Sequence, residues 1–179
     1  MQKKIKVMHM IWSMGDGGAQ QVVINYLRDF NNDPDIEIKL YVYTKPTTSK
    51  YDLEIKREGY NVVYLNNPIT KVQIPYIKRF FQRPVSKKVW DQVIKDYNPD
   101  VVHVHISALL GVTMLGIIKN KVPVRFDTLH SSPYRYTGKI KKIISNAFQC
   151  QNVIPICVTE AQVEEAKEWY GITKYEVVR

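Results

Sequence analysis

Residues 4–30 constrain the fold more than any other stretch: an apolar run, a glycine-rich turn, then an amphipathic repeat. Ile5, Val7, Met8, Met10 and Ile11 make a short apolar segment of the kind a strand buried on both faces requires. Trp12 through Gly18, with glycines at 15, 17 and 18, continue neither strand nor helix. Ala19, Val22, Val23, Tyr26, Leu27 and Phe30 then recur at helical spacing. A strand feeding a helix through glycines sets free N–H groups and a positive dipole end at the strand's carboxyl edge. Open α/β sheets bind ligands there. The glycines are expected to let the backbone approach a ligand and to take positive φ. No third glycine completes a dinucleotide fingerprint, and no Lys-Ser/Thr completes a Walker loop.

Strand-like and helix-like patterns alternate beyond this opening. Ile36 to Tyr43 read as a second strand, Tyr51 to Glu58 as a helix stopped by Gly59, and Asn61 to Leu65 as a third strand. Ile69 to Arg83 break the rhythm, with Pro75 suited to a first helical turn and Pro84 closing it. Val85 to Tyr97 form a cleaner amphipathic helix, and Val101 to His105 a fourth strand. Ala108 to Ile118 predict a helix buried on most of its surface, Pro123 to Thr128 a fifth strand, and Lys139 to Phe148 a helix with a basic face. Val153 to Val158 predict a sixth strand. Thr159 starts a helix, with Gln162 placed for a capping box and Gly171 as its stop. Tyr175 to Val178 begin one more strand. Such alternation predicts a three-layer, doubly wound, mostly parallel Rossmann-like sheet of order 3-2-1-4-5-6, residues 1–179 forming one domain. Loops after strands one, four and five then converge at the switch point.

The chain's charge narrows its partners. A formal net charge of +9 asks for an anionic one: a phosphorylated ligand, a membrane surface or a nucleic acid. Much of the excess lies between Lys71 and Lys95, where Asp91 is the single acid. Cys150 and Cys157 lack metal-ligand spacing and make no disulfide framework, which favours a reducing cytosol and inert thiols. The N-terminal run is interrupted by His9, Trp12 and the glycines, so no signal peptide is expected.

Taken together, the segments resemble family 4 glycosyltransferases. Gly17-Gly18-Ala19-Gln20-Gln21-Val22-Val23 resembles their Gly-Gly-Ala-Glu-Arg-Val-Val opening, and Asp100 to His105 resemble their Asp-x-Val-His-x-His strand. Thr128-Leu129-His130 and Val158-Thr159-Glu160 are similar to the later Thr-x-His and Val-Ser-Glu segments. Gln20 departs from the family's usual glutamate. The resemblance implies the N-terminal half of a GT-B fold and a retaining, metal-independent transferase. Its donor is a nucleotide sugar, and it needs no other cofactor. In that family the N-terminal half binds mainly the acceptor. The donor-binding half is expected to be absent from residues 1–179, leaving the piece inactive alone.

That resemblance also assigns roles. Gly17 and Gly18 would lie near the donor diphosphate, and His130 would face the reacting sugar, stabilising developing charge. His105, Ser107, Ser131 and Glu160 are candidate substrate contacts around the crevice. His103 and His105 share a sheet face but show no third partner in sequence, so no metal site is expected; His103 is read as a satisfied core histidine. Lys78, Arg79 and Arg83, beside Phe80 and Phe81, are candidate grips for an anionic acceptor or an acidic membrane leaflet. The acceptor is expected to be a cell-surface polysaccharide or lipid-linked glycan, reached from the cytoplasm or the inner membrane face. A non-catalytic glycan- or membrane-binding module is the alternative. A nucleic-acid binder finds no recognised motif, and no nucleic-acid partner is expected.

Overall fold

A computed structural model describes residues 3–66 and 87–178. Seven strands form one sheet of order β3-β2-β1-β4-β5-β6-β7. They are β1 (Ile5–Ile11), β2 (Ile36–Val42), β3 (Val62–Tyr64), β4 (Val101–Val104), β5 (Val124–Leu129), β6 (Ile154–Cys157) and β7 (Glu176–Val177). The predicted order holds, with two refinements. Every described pairing is parallel, and the last predicted stretch does pair, Ile156 with Glu176 and Cys157 with Val177.

The helices are α1 (Gly18–Phe30), α2 (Lys50–Glu58), α3 (residues 87–97), α4 (Leu110–Lys119), α5 (Gly138–Cys150) and α6 (Glu160–Tyr170). Local chemistry fixes their ends. Ser49 caps α2 by accepting from the Asp52 N–H, and Gly59 ends it in the left-handed conformation that glycine takes without a Cβ penalty. Thr159 caps α6 by accepting from the Gln162 N–H. The Gln162 side chain reaches back one residue further than a capping box requires, accepting from the Val158 N–H.

Strand alternation sorts the core into two layers. Met8, Met10, Val102, Val104, Leu129 and Cys157 face α3–α6, with Trp90, Ile94, Leu110 and Tyr170 fully buried among them. Ile11, Leu40 and Val42 face α1 and α2, packing on Val23, Ile24, Leu27, Tyr51 and Ile55. Helices α1 and α2 therefore cover β1–β3 on one side, while the other four cover the opposite side. Between α1 and the sheet lies a cavity of about 240 Å³, walled by Val7, Tyr26, Phe30, Ile36, Ile38, Val101, Phe126 and Ile156 and reached by His9 and His103.

The α3–α4 contact is close enough to need a glycine. A Cβ on Gly116 would stand 2.9 Å from the Asp91 Cα, so the helices could not approach as they do. Asn120 donates to the Asp91 carboxylate at 2.9 Å across the same seam. The predicted helix over residues 69–83, with Lys78, Arg79 and Arg83, lies outside the described residues.

Candidate active site

The carboxyl ends of β1, β4 and β5 form one rim, and each contributes a different chemistry. After β1, Trp12 is exposed, its ring packed 4.7 Å from Tyr43. The turn then delivers Gly17 and Gly18 to the start of α1, where both are exposed and Gly17 is the N-cap. No side chain caps this end and no acid occupies its first turn, so its free N–H groups and dipole remain available to an anion. None of Gly15, Gly17 or Gly18 has positive φ, contrary to the expectation for this turn. A Cβ on Gly15 or Gly18 would meet nothing, so the backbone there is bare, whereas one on Gly17 would stand 2.5 Å from Gln20 Oε1, so Gly17 makes room for the Gln20 side chain. Gln20 holds the loop, donating to the Ser13 carbonyl at 2.9 Å. A glutamate could not make that bond as a carboxylate, which gives the departure at position 20 a local function.

All four histidines of the chain gather beneath this rim. His9 Nδ1 lies 2.8 Å from His105 Nε2, and His105 Nδ1 lies 3.3 Å from His130 Nε2. His103 packs beside them, its ring 4.1 Å from that of His105 and its Nε2 2.7 Å from Thr128 Oγ1. The cause is register. His9 pairs with His103 across adjacent parallel strands, and alternation puts His105 and His130 on the same face.

Burial keeps these rings neutral. Desolvation lowers the pKa of His9 to about 3 and that of half-buried His130 to about 4. His103 and His105 are held well below the ordinary imidazole value, again mainly by burial, with the neighbouring rings adding to it.

The other predicted contacts divide. His105 is fully buried, so it serves the rim through His130 rather than lining the crevice. Ser107 is also buried, at the start of a 3-10 turn, Ser107–Leu109, with its hydroxyl turned toward Asp127 rather than the crevice. Ser131 stays partly open at the rim, its carbonyl accepting from Gln162 Nε2 at 3.2 Å. Glu160 is exposed as the first residue of α6, its carboxylate in the favourable first turn. Gln162 thus ties the start of α6 to the loop that carries His130. Trp12 and His9 were not among the expected site residues. Trp12 is the residue immediately after β1. His9 sits at an inward position of β1, beside the strand that carries the other pair.

His9, His103 and His105 each offer a ring nitrogen within 4.8 Å of the others. The sequence reading had lacked this third donor. Two nitrogens on one tetrahedral zinc stand roughly 3.3 Å apart for Zn–N bonds of about 2.0–2.1 Å. The His9–His105 separation of 2.8 Å is instead a hydrogen-bond length, so these two nitrogens engage each other.

Comparison with known proteins bears on the family and the fold. The Glycosyltransferase Family 4 model matches residues 16–179. No curated protein matches. Among solved structures, the chain is similar to the lipopolysaccharide outer core galactosyltransferase WaaB, with a TM-score of 0.71 and 16% identity over 98% of this chain and 45% of that one. It is similar to sucrose-phosphate synthase from Thermosynechococcus elongatus, with a TM-score of 0.65 and 10% identity over 98% and 48%. A UDP-N-acetylglucosamine 2-epimerase gives a TM-score of 0.63 and 15% identity over 93% and 45%. At these identities the likeness is one of fold, and this chain spans about half the length of each of these structures.

Proposed function

The chain belongs to Glycosyltransferase Family 4, and on that premise we propose that it is the acceptor-binding half of a retaining, metal-independent hexosyltransferase-type enzyme. The donor is a nucleotide sugar, held mainly by a second half that these residues do not include. The acceptor is a cell-surface polysaccharide or lipid-linked glycan. The net charge of +9 favours an anionic acceptor or the anionic inner face of the membrane. The reading is supported by neighbours of the same fold that span twice its length, the galactosyltransferase among them.

One observation carries the proposal: a neutral imidazole, His130, stands at the carboxyl end of β5, two strands from the bare start of α1. At a strand spacing of about 4.8 Å, β1 and β5, from whose carboxyl ends the two features extend, run roughly 10 Å apart, on the scale of a sugar ring with its substituents. The donor's diphosphate would meet the N–H groups of Gly17 and Gly18, and the reacting ring would meet His130. His130 presents a hydrogen bond where charge develops, and the helix start neutralises part of the leaving phosphate. Ser131 and Glu160 flank that position, and exposed Trp12 offers an apolar ring face to an acceptor sugar. No step requires a metal, because the helix dipole and the donor half share the phosphate's charge.

Each half alone transfers nothing in this scheme. In a protein carrying both halves, His130→Ala is expected to lower turnover about 10²-fold or more while leaving the fold intact. A variant of normal turnover would remove His130 from the chemistry and take the proposal's central support with it.

A further inference from the structure

Resting on the reading of His130 as the group that meets the sugar, we propose that His105 and His9 are positioning residues that hold His130 in its Nδ1–H tautomer. Three imidazoles lie in series, joined nitrogen to nitrogen: His9 Nδ1 to His105 Nε2, and His105 Nδ1 to His130 Nε2. A neutral imidazole has one donor and one acceptor nitrogen. The series therefore has only two consistent polarities. Protons point either outward, toward His130, or inward, toward His9.

The inner end decides between them. With Nδ1 engaged by His105, His9 has Nε2 left over, and its ring reaches a cavity whose other walls are apolar save Tyr26 and His103. His103 already engages Thr128 through its own Nε2. An inward polarity puts an N–H of His9 toward that hydrocarbon-rich space. An outward polarity puts only a lone pair there. Among the described hydrogen bonds none engages His9 Nε2, and an N–H facing apolar walls without a protein acceptor is costlier than a lone pair in the same place. The protons therefore run His9 Nδ1–H to His105 Nε2, and His105 Nδ1–H to His130 Nε2.

At the outer end this fixes the face shown to a ligand. His130 must accept at Nε2, so its Nδ1 carries the hydrogen and is the nitrogen left free. The crevice meets a donor rather than a base. A donor suits an oxygen gaining negative charge, or a hydroxyl oxygen to be held in register, and does not suit removal of a proton. Neutrality of the buried rings sustains the arrangement, since a protonated ring would donate at both nitrogens and break the series. The packing of His103 against His105, fixed through Thr128, holds the middle ring in plane.

Nitrogen resonances of histidine-labelled chain, recorded near pH 7 without any sugar, test this directly. The expected spectrum shows a pyrrole-type Nδ1 and a pyridine-type Nε2 for His130, with the same pattern for His105 and His9. His105→Phe keeps an aromatic ring in the buried site and removes the donor. Its expected effect is a reversal at His130 to the Nε2–H form that an unconstrained imidazole favours. An Nε2–H His130 in the wild-type chain overturns the proposal, as does an unchanged His130 tautomer in folded His105→Phe. Should the variant not fold, the wild-type spectrum alone decides. Because no sugar enters the measurement, its failure leaves the transferase reading of His130 standing. A fully active His130→Ala enzyme would instead overturn that reading and leave the tautomer unaffected.

Discussion

At the scale of single residues, the two faces of one strand end do opposite things with buried titratable groups. On the α1 face, the histidines satisfy one another and stay neutral. On the other face, Asp127 of β5 is fully buried, and among the described residues neither of its oxygens has a hydrogen-bond partner. Burial pushes its pKa up to about 8, which the nearby Ser107 hydroxyl offsets only in part. The folded chain therefore keeps this carboxyl protonated at neutral pH, whereas the unfolded chain ionises it above about pH 4. Its contribution to stability is fully present below the unfolded value and is lost progressively as pH rises toward 8. Asp127→Asn removes that penalty while keeping the shape. Urea unfolding should find the variant more stable by at least about 1 kcal/mol at pH 8 and little changed at pH 4. A variant less stable than wild type at pH 8 would mean that the acid form makes a bond the amide cannot replace. Neither Asp127 nor His9 stood out in the sequence. Asp127 reads as one polar residue in a short strand, and His9 as an interruption of an apolar run. Both become visible only through register, when β1 and β5 are laid beside β4.

Elements were more legible, because periodicity and punctuation act locally. Gly59, Gly171 and Thr159 marked helix ends through local preferences that tertiary packing did not override. The alternation of apolar runs with amphipathic ones gave the strand order, since right-handed crossovers leave few other choices. Ends shifted where a neighbour intervened. The predicted helix from Ala108 begins instead as a 3-10 turn at Ser107, and the loop of His105 is drawn inward by the pairing of its N–H with the Met10 carbonyl. Helix-to-helix distance was not legible at all. Gly116 reads as a weak point within an apolar helix, yet it permits α4 to touch the backbone of α3. Gly116→Ala improves intrinsic helix propensity but forces the helices apart. The expected net loss is about 1–3 kcal/mol, seen as a lower thermal midpoint. An equal or higher midpoint would show that α3 yields without cost.

For the molecule as a whole, acid is the condition that sets these local features against one another. The chain already carries +9, and its four histidines are neutral in one cluster, so mild acid adds no histidine charge while it stays folded. Unfolding near pH 5.5 releases all four rings to solvent, where their ordinary pKa near 6.5 lets each take a proton. Because the folded values are depressed, the stability the histidines contribute is fully present above about pH 6.5 and is lost as pH falls toward the folded values. Asp127 works in the other direction, giving up on unfolding the proton that it holds when folded. The balance is an uptake of about three protons, four histidine protons less one carboxyl proton, so stability should fall by roughly 4 kcal/mol per pH unit at that point. Unfolding free energies measured by urea between pH 6.5 and 5 give this slope, and Asp127→Asn should steepen it by about one further proton. Self-repulsion of the added charges on an already basic chain acts in the same direction. A slope of one proton or fewer would mean that the histidines titrate in the folded state. The neutral imidazole series, and the tautomer it imposes on His130, could not then persist at the pH where the chain is folded.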